Sequence, residues 1–246
     1  MTETILELLE KLHYKGMINN FQDIIKIAEE NNESWQQILR RLLTVEIEYR
    51  KTRSLMYRLD LAKLPQIKTL EDFDIVSSAL DEKILTELAE CHYINDAMNI
   101  FLIGGSGSGK THIAISLAYI ALQHGYKVKF FKFTDLARKL LLAKDQHYEA
   151  NLMAHLQRFH IIIIDELGYL PIDKQASILL FELFSNLYEK VPLIITTHLS
   201  FNEWNNFFDY PKATKAMIDR LTHHCKILET GNSSWRLKES AKQNHQ

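Results

Sequence analysis

Residues 99–114 read NIFLIGGSGSGKTHIA, and this stretch decides the fold. An apolar run, NIFLI, leads into four of the chain's eight glycines, Gly104, Gly105, Gly107 and Gly109. Lys110 and Thr111 follow, completing the spacing G-x-x-x-x-G-K-[ST] of a P-loop. Successive backbone N–H groups can converge on a phosphate only in conformations that glycine adopts cheaply. THIAISLAYIALQ then has helical character, and the positive end of that helix adds to the cradle. Gly104, Gly105, Ser106, Gly107, Ser108, Gly109, Lys110, Thr111 and His112 are therefore the expected nucleotide contacts. Lys110 is expected to reach the β/γ-phosphates, with the Thr111 hydroxyl on Mg²⁺. The cofactors expected are ATP and Mg²⁺.

Three downstream segments extend this reading. HIIIIDEL, residues 160–167, is a buried strand ending in Asp165, placed to bring a carboxylate to the metal. Glu166 follows at once, and strand alternation turns it to the other side; it is the expected base that polarises the attacking water. VPLIITTHLS is a strand ending in polar residues near the γ-phosphate, where His198 is the candidate contact, with Thr197 beside it. KATKAMIDRL carries Arg220, with Lys215 as second choice, as a cation that reaches a neighbouring subunit's phosphate. The expected catalytic set is Glu166, Lys110, Arg220 and His198, and the expected metal ligands are Thr111 and Asp165.

Around these motifs the apolar runs NIFLIG, KVKFFKF, HIIIID, VPLIITT and CKILE alternate with helical stretches. The runs IIII and LII are continuously apolar, as in parallel strands covered on both faces. The expected fold is α/β: a P-loop NTPase of the additional-strand type, its parallel sheet sandwiched by helices. Residues 1–64 contain no strand-like segment and read as a small all-α N-terminal domain. Ser34 and Gln37 form a capping-box pattern for a third helix running to about Ala62, before Pro65. Residues 65–80 read as a linker, 81–236 as the ATPase domain and 237–246 as a polar tail.

The chain of 246 residues is 46% apolar and 24% charged, an ordinary globular mix that excludes wholesale disorder. No apolar run approaches the ~18 residues of a membrane span. The acidic start MTETILELLEK lacks the basic region of a signal peptide, so a cytoplasmic location is expected. Cys91 and Cys225 do not make a disulfide framework, and no spacing of histidines suits zinc. The net charge is −2, yet residues 40–68 carry eight bases against three acids, and 127–144 six against Asp135. Each stretch is a solvated helix face or a polyanion-facing patch.

KTLEDFD (68–74), GGSGSGKTHIA (104–114), IIIIDELGYLP (161–171), LSFNEW (199–204) and MIDRLTHHCKILE (217–229) together resemble IstB-like proteins. These are ATP-dependent transposition helpers of bacterial insertion sequences, of the AAA+ class and close to the helicase loader DnaC and the initiator DnaA. Two departures stand out: GGSGSGKT replaces the family's usual proline-containing loop, and His198 replaces its usual asparagine. The resemblance implies an Mg²⁺-dependent ATPase that oligomerises on double-stranded DNA and activates a partner transposase. It also implies a helical insertion at 134–159, making Arg138, Lys139 and Lys144 DNA-facing candidates. The competing reading is a DnaC-like replicative helicase loader, whose N-terminal domain grips the helicase. A monomeric P-loop kinase fits less well, since it has no use for Glu166.

Overall fold

The computed structural model describes residues 4–75, 78, 80–169, 172–209 and 211–231. The polar tail expected at 237–246 and the end of the DELGYLP segment, Leu170 and Pro171, lie outside the described residues. The chain divides into two compact units, one running to Tyr57 and the other beginning at Arg58, a division inside a helix rather than at Pro65.

The first unit is helical. α1 (Ile5–Lys11) starts with a full capping box: Thr4 accepts from the Glu7 N–H, and Glu7 accepts from the Thr4 N–H. α2 (Lys15–Glu30) packs on α3 (Trp35–Ala62), which stops three residues short of Pro65. The N–H of Ser34 donates to Gln37, giving the return half of the expected box, while the Ser34 hydroxyl also donates to Gln37. Met17, Ile24 and Leu42 form a small core with Phe21, Ile38 and Val45 packed on it. At Gly16 a side chain would meet the Tyr49 Cβ at 2.7 Å and the Glu46 Cα at 2.8 Å, so a bare backbone lets α2 close on α3. The apolar residues at the start of α3 divide: Ile38 and Leu42 face this core, while Trp35 and Leu39 are exposed.

In the second unit, α4 (Glu82–Ala89) and α5 (His92–Asn95) precede β1 (Asn99–Ile103) and α6 (Lys110–Gln123). β2 (Val128–Lys132) leads to α7 (Phe133–Asp145) and α8 (Glu149–Leu156), which occupy the expected helical stretch 134–159. β3 (Ile161–Leu167), α9 (Lys174–Leu187) and β4 (Leu193–Thr197) follow. The last described elements are α10 (Trp204–Phe207), α11 (Pro211–His223) and β5 (Cys225–Glu229). All pairings are parallel, in the order β2-β3-β4-β1-β5, so β4 is the strand inserted between those bearing the two phosphate-site motifs.

The inner strands β1, β3 and β4 are buried on both faces, as their uninterrupted apolar runs require, while β5 is a partly exposed edge. Phe101, Ile162, Ile164 and Ile195 meet Phe133 of α7, Leu180 and Phe184 of α9, and Trp204. Asn99 ties the inner strands at their start: its side chain accepts from the Leu193 N–H and donates to the Leu221 carbonyl. The carboxyl ends of β1, β3 and β4 therefore come together, which is where ligands bind in such sheets. Among the described residues, no helix is long and apolar enough to cross a membrane.

Candidate nucleotide site

A cavity of about 280 Å³ opens at the carboxyl ends of the strands. Ser106 to His112 line it together with Glu166, Thr196 and Thr230. Gly107 and Gly109 hold φ of 75° and 93°, the left-handed backbone that the loop needs to turn its N–H groups inward. The Lys110 ammonium lies within the loop, donating to the carbonyls of Gly104 and Gly105 at 2.8 and 2.6 Å. The loop is braced from the last strand: the Gly105 N–H donates to the Gly231 carbonyl at 2.9 Å, and Ser108 and Thr230 share a 2.6 Å hydroxyl contact.

Thr111 and Asp165, 54 residues apart, meet: the hydroxyl donates to the Asp165 Oδ1 at 2.8 Å. Thr196 donates to the same oxygen at 2.6 Å. Asp165 is 3% exposed, and burial raises its carboxyl pKa above the ordinary value; the two hydroxyls pull it back, while the Glu166 charge pushes it further up. A hydroxyl and a carboxylate side by side are hard oxygen donors, few in number, which suits Mg²⁺.

Glu166 departs from the expectation drawn from strand alternation. β3 and β4 pair regularly up to Ile164 opposite Ile195 and resume at Leu167 opposite Thr197, so two residues face Thr196 alone. This is a bulge, with Glu166 at a φ of 63°, and the extra residue returns its side chain to the cavity instead of turning it away. The Thr196 hydroxyl pins the bulge by accepting the Glu166 N–H at 2.9 Å. Lys132, the last residue of β2, sits 3.4 Å from the Glu166 carboxylate.

The strand-end histidine lies elsewhere. His198 is exposed, stacks edge-on against Tyr169 with ring centroids 4.6 Å apart, and lines a neighbouring cavity with Gly104, Gly105, Ser106 and Glu203. Thr197 is occupied by the Leu167 carbonyl at 2.8 Å. Thr196, which sequence reasoning passed over, is the β4 residue on the nucleotide side. Arg220 is absent from the lining of both cavities; it donates to the Ser185 hydroxyl at 2.9 Å and stacks over Phe181 at 5.0 Å. Lys215 is exposed on the same helix.

The segment read as a linker contributes a wall. Pro65, Lys68, Asp72 and Phe73 line the cavity opposite the apolar Ile115 of α6. A Cβ at Gly109 would collide with the Phe73 ring, so the aromatic rests directly on the phosphate loop. KTLEDFD held the only sequence signal for this, as a motif of the resemblance rather than as chemistry.

On α7, Arg138 is exposed and 3.6 Å from Asp135, and Lys144 is exposed. Lys139 instead lies across Phe131, 5.7 Å from the ring centroid, with Lys129 at the same distance. Burial, and then the neighbouring Lys139 and Lys63, hold the Lys129 pKa below its ordinary value. Lys63, from the first basic stretch, thus stands close enough to Lys129, from the second, to act on it together with Lys139 at the β2 edge of the sheet.

A family profile described as IstB-like ATP binding protein matches residues 7–243. The chain is 36% identical over 243 residues to the ATP-binding protein of insertion sequence IS5376 of Geobacillus stearothermophilus, across 97% of this chain and 96% of that one. It is 32% identical over 236 residues to the ATP-binding protein of insertion sequence IS21 of Pseudomonas aeruginosa, across 96% and 89%. Among solved structures, DnaI superposes with a TM-score of 0.56 at 14% identity, over 66% of this chain and 90% of that one. The replication initiator DnaA bound to AMPPCP and single-stranded DNA superposes at 0.58 with 19% identity, over 74% and 57%. These two likenesses show the fold, that of an AAA+ P-loop NTPase. With a profile spanning nearly all of its residues and full-length relatives above 30% identity, the chain belongs to the family of IstB-like ATP-binding proteins of insertion sequences.

Proposed function

We propose that this chain is an Mg²⁺-dependent ATPase that assembles with copies of itself on double-stranded DNA and assists the transposase of its insertion sequence. The observation that carries the reading is the convergence of Lys110, Thr111, Asp165, Thr196 and Glu166 from three strand ends on one cavity. The phosphate loop and Lys110 bind the triphosphate, whose negative charge replaces the loop carbonyls as partner of the ammonium. Thr111 and Asp165 would hold Mg²⁺, which neutralises developing charge on the phosphates when bound. Glu166 takes the proton of the attacking water, and its bulge sets the carboxylate on the side where that water must stand. Arg220, stacked in place on Phe181, is the group offered to a neighbouring subunit's γ-phosphate. His198 lines the adjoining cavity with Gly104 to Ser106, and in this reading Thr196 takes the place by the γ-phosphate that was expected of the histidine.

DNA is assigned to the basic edge. Arg138 and Lys144 point to solvent, while Lys63, Lys129 and Lys139 repel one another on the same side, a cost that backbone phosphates relieve. The helices of 1–64 hold the partner protein, with 65–80 joining them to the ATPase domain. The names of the relatives, all proteins of insertion sequences, support transposase as that partner. Light scattering of the protein with duplex DNA tests the reading: ATP should convert it to a large DNA-bound assembly. Lys110→Ala should bind no ATP and form none, and Arg220→Ala should bind ATP yet assemble and hydrolyse poorly. An assembly indifferent to ATP and to both substitutions would overturn it.

A further inference from the structure

His112 directly follows the phosphate-loop motif, two residues beyond Lys110, and its ring is engaged by residues 69 and 73. Nε2 lies 2.8 Å from the Thr69 carbonyl. A carbonyl oxygen only accepts, so this nitrogen carries the proton and donates. The half-buried ring stands 5.3 Å from that of Phe73, tilted by 57°. Phe73 in turn rests on Gly109, where its ring fills the place of a side chain. A continuous line of contact therefore runs from Thr69 through His112 and Phe73 to the phosphate loop. The bonds inside the segment, from Thr69 to Asp72 at 2.8 Å and from the Phe73 N–H to Leu70 at 3.1 Å, shape a turn without attaching it to α6. The His112 bond makes that attachment.

From this geometry we propose that His112 is a positioning residue that fastens the 65–75 strap across the nucleotide cavity, acting on the nucleoside end of the ligand and not on its phosphates. The proposal rests on the nucleotide-site reading above and gives His112 a place in it that its motif position does not. The Nε2–H is committed to the Thr69 carbonyl, so the ring's donor is spent on the strap and not on a phosphate. Pro65, Lys68, Asp72 and Phe73 all line the cavity from this strap. A ligand made only of phosphates occupies the loop and has nothing to lay against them.

Two ligands thus separate the roles: ATP, which spans loop and strap, and tripolyphosphate, which fills the loop alone. In calorimetry on the full chain, His112→Ala should weaken ATP about 5- to 20-fold, the worth of one hydrogen bond and the ring it supports. Tripolyphosphate affinity should stay within about twofold. His112→Gln, whose amide N–H reaches the same carbonyl, should recover most of the ATP affinity. In turnover, KM should rise while kcat holds. Phe73→Ala provides an independent variant and should give the same split between the two ligands. Equal weakening of ATP and tripolyphosphate would put His112 on the phosphates and overturn the proposal, as would unchanged ATP affinity in His112→Ala. Failure of the unmodified chain to bind either ligand would instead overturn the nucleotide site itself.

Discussion

Replacing Thr196 by valine keeps the shape of a fully buried strand residue and removes one oxygen. That oxygen makes two bonds at once: it donates to the Asp165 carboxylate at 2.6 Å and accepts the Glu166 N–H at 2.9 Å. A hydrogen bond to an ionised acceptor contributes about 1.5–3 kcal/mol, and an N–H left unpaired in a buried strand costs about 1–2 kcal/mol. Part of this returns because a hydroxyl no longer has to be desolvated, so the net loss should be about 2–4 kcal/mol. It falls on the orientation of the metal-side carboxylate and on a glutamate held at a φ of 63°, a backbone that relaxes once unpinned. Hydrolysis at saturating ATP should drop about 30-fold or more. ATP affinity should change little, because the phosphate loop keeps its own bonds. Thr196→Ser restores the hydroxyl and should restore turnover. Single-turnover hydrolysis with calorimetric ATP affinity measures both quantities, and His198→Ala provides the contrast, expected within about threefold of the unmodified protein. If Thr196→Val hydrolyses normally while His198→Ala does not, the polar group serving the γ-phosphate is the histidine and the argument from β4 is wrong.

Asp165→Asn should abolish metal-dependent hydrolysis while raising the melting temperature of the nucleotide-free protein by a few degrees at pH 7, because asparagine accepts both threonine bonds without a buried charge. The sign follows from the raised pKa: ionisation costs the folded state, so stability is whole below the ordinary value of 3.8 and declines as pH rises through the folded value. The advantage of asparagine should therefore vanish in acid, and a lower melting temperature at pH 7 would contradict it. Lys132→Met frees the Glu166 carboxylate from a half-exposed ion pair worth at most about 1 kcal/mol, so basal ATPase without DNA should rise up to about fivefold; a fall would assign the lysine a direct role. Gly109→Ala combines a φ of 93° with a collision against Phe73 and should weaken ATP at least about tenfold in calorimetry, whereas unchanged binding would show that the strap yields freely.

What was legible in the sequence was whatever is contiguous along it. The phosphate loop, the strand ending at Asp165 and the alternation of buried runs with helices each announce themselves within a dozen residues, and β1 to β5 follow them. The bulge at Glu166 was not legible, because a two-residue period has no term for an unpaired residue; only the register against β4 reveals it. Thr196 was overlooked in favour of His198 for the same kind of reason, since the side of a strand that meets the ligand depends on pairing. The strap was invisible because Phe73 and Thr69 gain their meaning from Gly109 and His112, more than thirty residues away.

The brace between the phosphate loop and the exit of β5 has a consequence for how the protein comes into being. Gly105 and Ser108 find their partners in Gly231 and Thr230, about 125 positions later in the chain, and β1 receives β5 as its last neighbour. A newly made chain can therefore form α6 and pair β3 with β4 while its phosphate loop still lacks this support. Contacts of such sequence separation are slow to close. Nucleotide enters the folding equilibrium only at the end, as a ligand that locks in a finished sheet rather than a template that guides its assembly.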